Sequence, residues 1–227
     1  MNADTEAYYR REHRKSADPQ YLARLLAPLD LRPGASVLDV GCGTGYLSAY
    51  LAGKLRLDRN LGFDIDPDAI RLARELNPAS GSVGWFCASA QAIPLADASF
   101  NCVVCRAALP LCDVPRAVGE IARVLDAGGA AALLLHPWDF YLRRLSLNPA
   151  RWKHTAQCLL NTGLGCWFNA TGHRLQFKMG GRSMGQTFQT VGRMRALLRH
   201  HGMEIYHVVR SPEFVIYARR PGPGRPE

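Results

Sequence analysis

The run VLDVGCGTGYLS, residues 37–48, restricts the architecture more than any other stretch of the chain. An apolar segment leads straight into glycines at 41, 43 and 45, and the residues that follow place Leu47, Tyr50 and Leu51 on one helical stripe. Glycine takes left-handed backbone conformations without a Cβ penalty and lets other atoms close on the chain. The pattern is strand, tight turn, helix, with bare backbone at the turn where a ligand can come near.

The same alternation continues on both sides of that turn. DPQYLARLLAPL reads as a helix capped by Asp18, with Pro19 in its first turn and Leu22, Leu25 and Leu26 on one face. NLGFDI is a strand, and DPDAIRLARELN is a helix with Asp66 as its cap and Pro67 at its first position. SVGWFC, FNCVVC and GAAALLL are further strands. DVPRAVGEIARVLDAGG carries Val118, Ile121, Ala122 and Leu125 on one helical face and stops at Gly128, as a helix with a glycine C-cap does. Strands alternating with helices of this length predict crossover units and a parallel sheet covered on both faces. Near the end, the helix TVGRMRALLRHHG precedes MEIYHVV and EFVIYARR, whose short RSP link permits only an antiparallel pair. The expected fold is α/β and doubly wound, a mostly parallel seven-stranded sheet with one antiparallel strand.

At 227 residues, with 48% hydrophobic and 21% charged residues, the chain suits one globular domain over 1–227 with an N-terminal segment 1–17 and an insertion 138–190. The insertion holds Trp138, Trp152 and Trp167 and a glycine-rich run, MGGRSMGQ, and reads either as a cap over a ligand site or as aromatics packed on the scaffold. Neither a secretory signal nor a membrane span is readable, and seven cysteines without repeating spacing look like thiols in a reducing compartment, so a cytoplasmic location is expected. The net charge of +9 gathers at the two ends and through the second half with no nucleic-acid-binding motif, and reads as solvated surface rather than a nucleic-acid groove.

Two ligands compete for the glycine turn. The dinucleotide fingerprint G-x-G-x-x-G puts a pyrophosphate on a helix N-terminus. Here Tyr46 stands at the third glycine and Asp39 lies two residues before the first. An acid so close would repel a pyrophosphate, yet it suits the amino group and sulfonium of S-adenosylmethionine. VLDVGCGTG resembles the first motif of class I S-adenosylmethionine-dependent methyltransferases, and LGFDIDPDAIRLARE resembles their second. CASAQAIPLADASFNCVV and EIARVLDAGG are similar to later family segments, in order, and the nearest subgroup is the small-molecule type of ubiquinone biosynthesis.

The resemblance implies that Asp64 chelates the two ribose hydroxyls and that Asp39, Gly41, Cys42, Gly43, Gly45, Ile65, Ser89, Ala90 and Cys105 complete the cofactor set, with S-adenosylhomocysteine as product. Three departures stand out: Ser89 replaces the usual acid facing the adenine amine, Asn101 replaces an aspartate, and CRAALPLCD replaces a histidine-bearing turn. They leave room for a noncatalytic cofactor-binding protein, while a nicotinamide-dependent oxidoreductase is disfavoured by Tyr46 and Asp39.

Methyl transfer is an in-line displacement that requires alignment and exclusion of water, and a base where the acceptor carries a proton. The expected acceptor is a small molecule. His136, at the end of the fifth strand, is the candidate base, against a structural histidine. Arg106, after the fourth strand, is the candidate for an anionic group, against a surface charge. Tyr8, Tyr9 and His13 are candidates for the entrance, against a solvated end, and Trp138 is a candidate substrate contact. Cys102 and Cys105 form a lone C-x-x-C on a strand, where residues three apart face opposite sides, so no metal is expected.

Overall fold

The computed structural model describes residues 3–16, 18–145, 148, 151–173, 175, 177–179 and 182–222. Gly180 and Gly181 of the glycine-rich run, and 223–227 of the basic tail, lie outside the described residues. The helices are α1 (Ala3–Ser16), α2 (Pro19–Leu26), α3 (Tyr46–Lys54), α4 (Pro67–Leu76), α5 (Val114–Val124), α6 (Trp152–Thr171) and α7 (Val191–His200). The strands are β1 (Ser36–Val40), β2 (Arg59–Asp64), β3 (Gly84–Cys87), β4 (Phe100–Arg106), β5 (Leu125–Leu135), β6 (Phe177–Met179), β7 (Arg182–Met184), β8 (Glu204–Val209) and β9 (Phe214–Arg219).

Seven strands form one sheet in the order β3-β2-β1-β4-β5-β9-β8, and β6 and β7 make a separate hairpin. The pairs from β3 to β5 are parallel, while β9 runs antiparallel to both β5 and β8. The expected sheet, with its single reversed strand, is the observed one. Consecutive residues of β1 feed opposite cores: Leu38 and Val40 pack with α5 and α7, Val37 with α2 and α3. Each fully buried leucine or valine contributes about 1.5–3 kcal/mol. Cys102 and Cys105 likewise enter different cores, as their spacing requires.

The helix entries follow their capping chemistry. Asp18 accepts from the Gln20 amide at 3.0 Å, Asp66 from Asp68 at 2.9 Å and Asp113 from Arg116 at 3.3 Å. Gly128 does not cap α5. That helix stops at Val124 and Leu125 already opens β5, pairing with Phe100. Gly128, at φ +86°, instead serves an irregularity where the β4–β5 register shifts. Leu125 satisfies a helical face and a buried strand equally well, which is why the boundary is ambiguous in the sequence.

The order of strands reverses direction between β1 and β4, so the crevice of an open α/β sheet falls beyond their carboxyl ends. The insertion joins the fold at that edge. The Thr187 amide donates to the Pro110 carbonyl at 3.1 Å and the Gln189 amide to the His136 carbonyl at 3.0 Å. Phe168 of α6 enters the main core, and Tyr141, Cys158 and Phe188 form a small cluster of their own.

Candidate functional site

Beyond β1, the three glycines of the turn take φ values of +69°, +53° and +71°. Each has a different reason for lacking a side chain. A Cβ on Gly41 would stand 2.5 Å from the Ala108 Cβ, and one on Gly45 would stand 2.8 Å from the Trp85 ring. One on Gly43 would meet nothing within 4 Å, so its backbone faces open space. Gly41→Ala combines the clash with a left-handed backbone and is expected to lower both Tm and ligand affinity. Thermal melts with and without ligand check this.

Gly41 is the meeting point of two hollows. The first is mostly apolar, lined by Phe63, Asp64, Ile65, Ala88, Ser89, Ala90, Gln91, Ala108, Leu111 and Cys112. Ile65 is 71% exposed on its rim, and Leu111 54%. Two exposed apolar side chains on one apolar hollow suit a flat apolar group. The second is polar, lined by Tyr8, Tyr9, Glu12, Asp39, Cys42, Gly43, Thr44, Tyr46, Arg106 and Ala107 among others.

Asp64 stands where the first hollow meets the glycine turn. Its Oδ2 accepts from the Gly43 amide at 2.9 Å and its Oδ1 from the Asp66 amide at 3.0 Å. Burial pushes its pKa up while these amide donors pull it down. Asp39 is buried in the second hollow and accepts from the Ser48 hydroxyl at 3.0 Å. Burial pushes its carboxyl up to about 6, with the Ser48 bond and the nearby Arg106 opposing.

Arg106 leaves the end of β4 and lies over two aromatic faces, Tyr46 at 4.6 Å and Tyr21 at 5.1 Å. Its Nε and Nη1 are buried without a hydrogen-bond acceptor; the Tyr21 hydroxyl lies near both Arg106 and Glu213, and burial raises its pKa to about 12. Orphaned charged donors are costly and call for an anionic partner. The next residue, Ala107, holds φ +54° without being glycine, a strain of about 1–3 kcal/mol that turns the chain at this wall.

Helix α1 roofs the polar hollow. The Tyr9 hydroxyl donates to Asp66 Oδ2 at 2.5 Å, and His13 Nδ1 lies 3.0 Å from the Thr44 hydroxyl, with its ring edge-on to Tyr46. Arg10 pairs with Glu6 and Glu75, and Arg71 with Glu6. Tyr8, Tyr9 and His13 are thus part of a helix at the mouth, not a solvated end.

Three sequence candidates fall elsewhere. The His136 ring stacks on Phe140 at 3.8 Å, and its Nδ1 lies 3.0 Å from the Tyr141 hydroxyl. Burial lowers its pKa to about 4, and it lines neither hollow, so the structural reading replaces the base. Trp138 lines a different depression with Pro137, Arg143 and Phe214. Cys105 is wholly buried in the core, its backbone paired with Val40 and Leu133. No described residue of 138–190 lines the two hollows.

Cys42, Ser89, Ala90 and Ile65 do line it, although the Ser89 hydroxyl already accepts from the Gln91 amide at 3.2 Å. Sequence reasoning missed Thr44, Tyr46 and Leu111 as wall residues, and Tyr21 as the ring beneath Arg106. Only their nearness to the glycine turn or to the fourth strand could have marked them. Among the described residues no group of three or more His, Cys, Asp or Glu could hold a metal ion.

The crevice therefore suits a ligand with a flat apolar end, vicinal hydroxyls near Asp64, and a charged amino-acid end between Asp39 and Arg106. Residues 38–133 match the family model described as a methyltransferase domain. This part of the chain is thus similar to a methyltransferase domain. Residues 8–65 also match the model of protein-L-isoaspartate(D-aspartate) O-methyltransferase.

The chain is 35% identical over 101 residues to a malonyl-[acyl-carrier protein] O-methyltransferase of Methylococcus capsulatus, covering 44% of this chain and 37% of that one. It is 34% identical over 108 residues to a 2-phytyl-1,4-naphtoquinone methyltransferase of Thermosynechococcus vestitus, covering 47% and 48%. It thus spans less than half the length of these relatives. A SAM-dependent methyltransferase of Methanosarcina mazei superposes with a TM-score of 0.62 at 22% identity, covering 88% of this chain and 98% of that one. The matched residues carry the glycine turn, Asp39, Asp64 and Arg106; helix α1 lies before them and the insertion after.

Proposed function

We propose that this protein transfers a methyl group from S-adenosyl-L-methionine to a nucleophilic atom of a small molecule, releasing S-adenosyl-L-homocysteine. The observation that carries the reading is the divided crevice at Gly41, whose apolar half ends at Asp64 and whose polar half holds buried Asp39 beside Arg106. Its dimensions of charge are those of the cofactor: an uncharged adenine slot, a carboxylate for the sugar, a carboxylate for the amine. The cofactor supplies an electrophilic methyl on a cationic sulfur.

The chain's own part is alignment and shelter. Asp64 and the Gly43 backbone fix the sugar, Asp39 holds the amine, and α1 with Tyr8 and Tyr9 keeps water from the polar half. Arg106 has two buried N–H groups for a carboxylate, either that of the methionine moiety or that of an acidic acceptor. The malonyl O-methyltransferase among the relatives keeps oxygen acceptors in view. None of the seven cysteines is in a disulfide, in keeping with an enzyme of the cytoplasm working in small-molecule biosynthesis.

Calorimetry should show micromolar or tighter S-adenosylhomocysteine binding, and labelled S-adenosylmethionine should pass its methyl to one member of a panel of phenols, carboxylic acids and amines. Binding without any transfer across such a panel would instead describe a noncatalytic cofactor protein. Arg106→Gln separates the two carboxylates: weaker S-adenosylhomocysteine binding by about tenfold or more marks the cofactor, while a raised KM for the acceptor alone marks the substrate.

A further inference from the structure

Helix α6 is apolar on two sides. Its inner side, with Cys158, Leu164 and Phe168, is buried against the fold. Its outer side carries Trp152, Leu159, Leu160 and Trp167, exposed by 64, 54, 40 and 46%. Ala156 and Gly163 between them, and Ala170 one turn beyond Trp167, are exposed, small and uncharged. The stripe runs about 27 Å at 1.5 Å per residue. A helix that is apolar all round is ordinarily covered all round, and a contiguous exposed patch of this kind marks an interaction face.

Charge selects the occupant. From Phe140 to Met203 the chain has no aspartate or glutamate, while Arg151 and Lys153 stand at the start of α6. The short helical turn packed against α6 adds Arg144, while Arg143 of the same turn is paired with Asp139. Two copies of this face would bring like charges together, whereas an anionic surface neutralises them. Tryptophan near each end, leucine between, and cations at the flank are the composition of a helix that lies in the headgroup boundary of a bilayer. Among the described residues no helix is long and apolar enough to cross a membrane, so any attachment by α6 is along the surface.

We infer that the outer face of α6 seats the protein on an anionic lipid surface. The tryptophan and leucine side chains enter the headgroup boundary, and Arg144, Arg151 and Lys153 meet lipid phosphates. This reading is independent of the reaction catalysed.

The test is co-sedimentation of the full chain with vesicles of phosphatidylglycerol and phosphatidylcholine in equal parts. The wild type should bind these, bind phosphatidylcholine vesicles weakly, and release as salt is raised. A Leu159→Gln, Trp167→Gln variant should partition at least about tenfold less, because both side chains are exposed and act only through the surface they enter. Its S-adenosylhomocysteine affinity should equal that of the wild type, which shows that it is folded. If neither protein binds S-adenosylhomocysteine, equal melting temperatures serve the same purpose, and only the methyltransferase reading is lost. Failure of the wild type to bind anionic vesicles, or equal binding by both proteins, overturns the proposal. So does a wild-type dimer split by the same substitutions, which would give the face to a second copy.

Discussion

Asp64→Ala should weaken S-adenosylhomocysteine binding by at least about a hundredfold in calorimetry, the largest loss expected from any single side chain of the crevice. Both oxygens of Asp64 are already fixed by backbone donors, Oδ2 by Gly43 and Oδ1 by Asp66, so the carboxylate plane is set before a ligand arrives. Each oxygen keeps a further lone pair, and two vicinal hydroxyls match two such acceptors. Hydrogen bonds to a charged group contribute about 1.5–3 kcal/mol each, and two of them exceed a hundredfold in affinity. The alanine variant also strips the Gly43 amide of its acceptor, which loosens the turn that the cofactor must lie against. Asp64→Asn is the finer probe: one of its two positions becomes an NH2 group facing a backbone N–H, so an intermediate loss is expected. Affinity unchanged in the alanine variant would remove the sugar-binding role and with it the adenosine reading of the crevice.

How much of this was legible depends on what each residue's signal is made of. The sheet was readable because strand and helix periods differ, and because a proline after each aspartate cap marks where α2 and α4 begin. Asp39 was readable because a carboxylate next to a glycine turn has few structural uses, and Asp64 because its segment resembles the second family motif. Helix α1 carried no such signal. It is polar on every side, and its place is fixed by Tyr9, His13, Arg10 and Glu6 meeting partners from distant parts of the chain, an arrangement with no period to detect. His136 failed for another reason: its position in the strand tells which end of the sheet it occupies but not whether neighbours enclose it, and Phe140 and Tyr141 do. Arg106 shows the converse. Its partners Tyr21 and Tyr46 come from two different helices, so its buried, unsatisfied donors became visible only once α2 and α3 were packed on the same side of the sheet.

The second large effect is a stability gain that comes with a loss of binding, at Asp39. In the free protein burial holds this carboxyl at about 6 against an ordinary 3.8, so the folded chain takes up a proton that the unfolded chain does not between those values. The group's contribution to stability is therefore fully present below about 3.8 and is lost as the pH rises through about 6. The difference is worth roughly 3 kcal/mol. Asp39→Asn keeps a partner for the Ser48 hydroxyl without the buried charge, and should raise Tm at pH 7.5 by roughly 6–10 °C. The gain should shrink as the pH is lowered below 6, where the wild-type carboxyl becomes neutral too. Cofactor affinity must move the other way, because the amine requires the ionised carboxylate. The variant should bind S-adenosylhomocysteine weakly at every pH, and the wild type should lose affinity by up to about tenfold per pH unit below 6. A residue kept charged at a cost to the fold is what a binding site requires and a core does not. A Tm that falls in Asp39→Asn at neutral pH would instead make the Ser48–Asp39 pair a structural bond, leaving the cofactor's amine without its carboxylate.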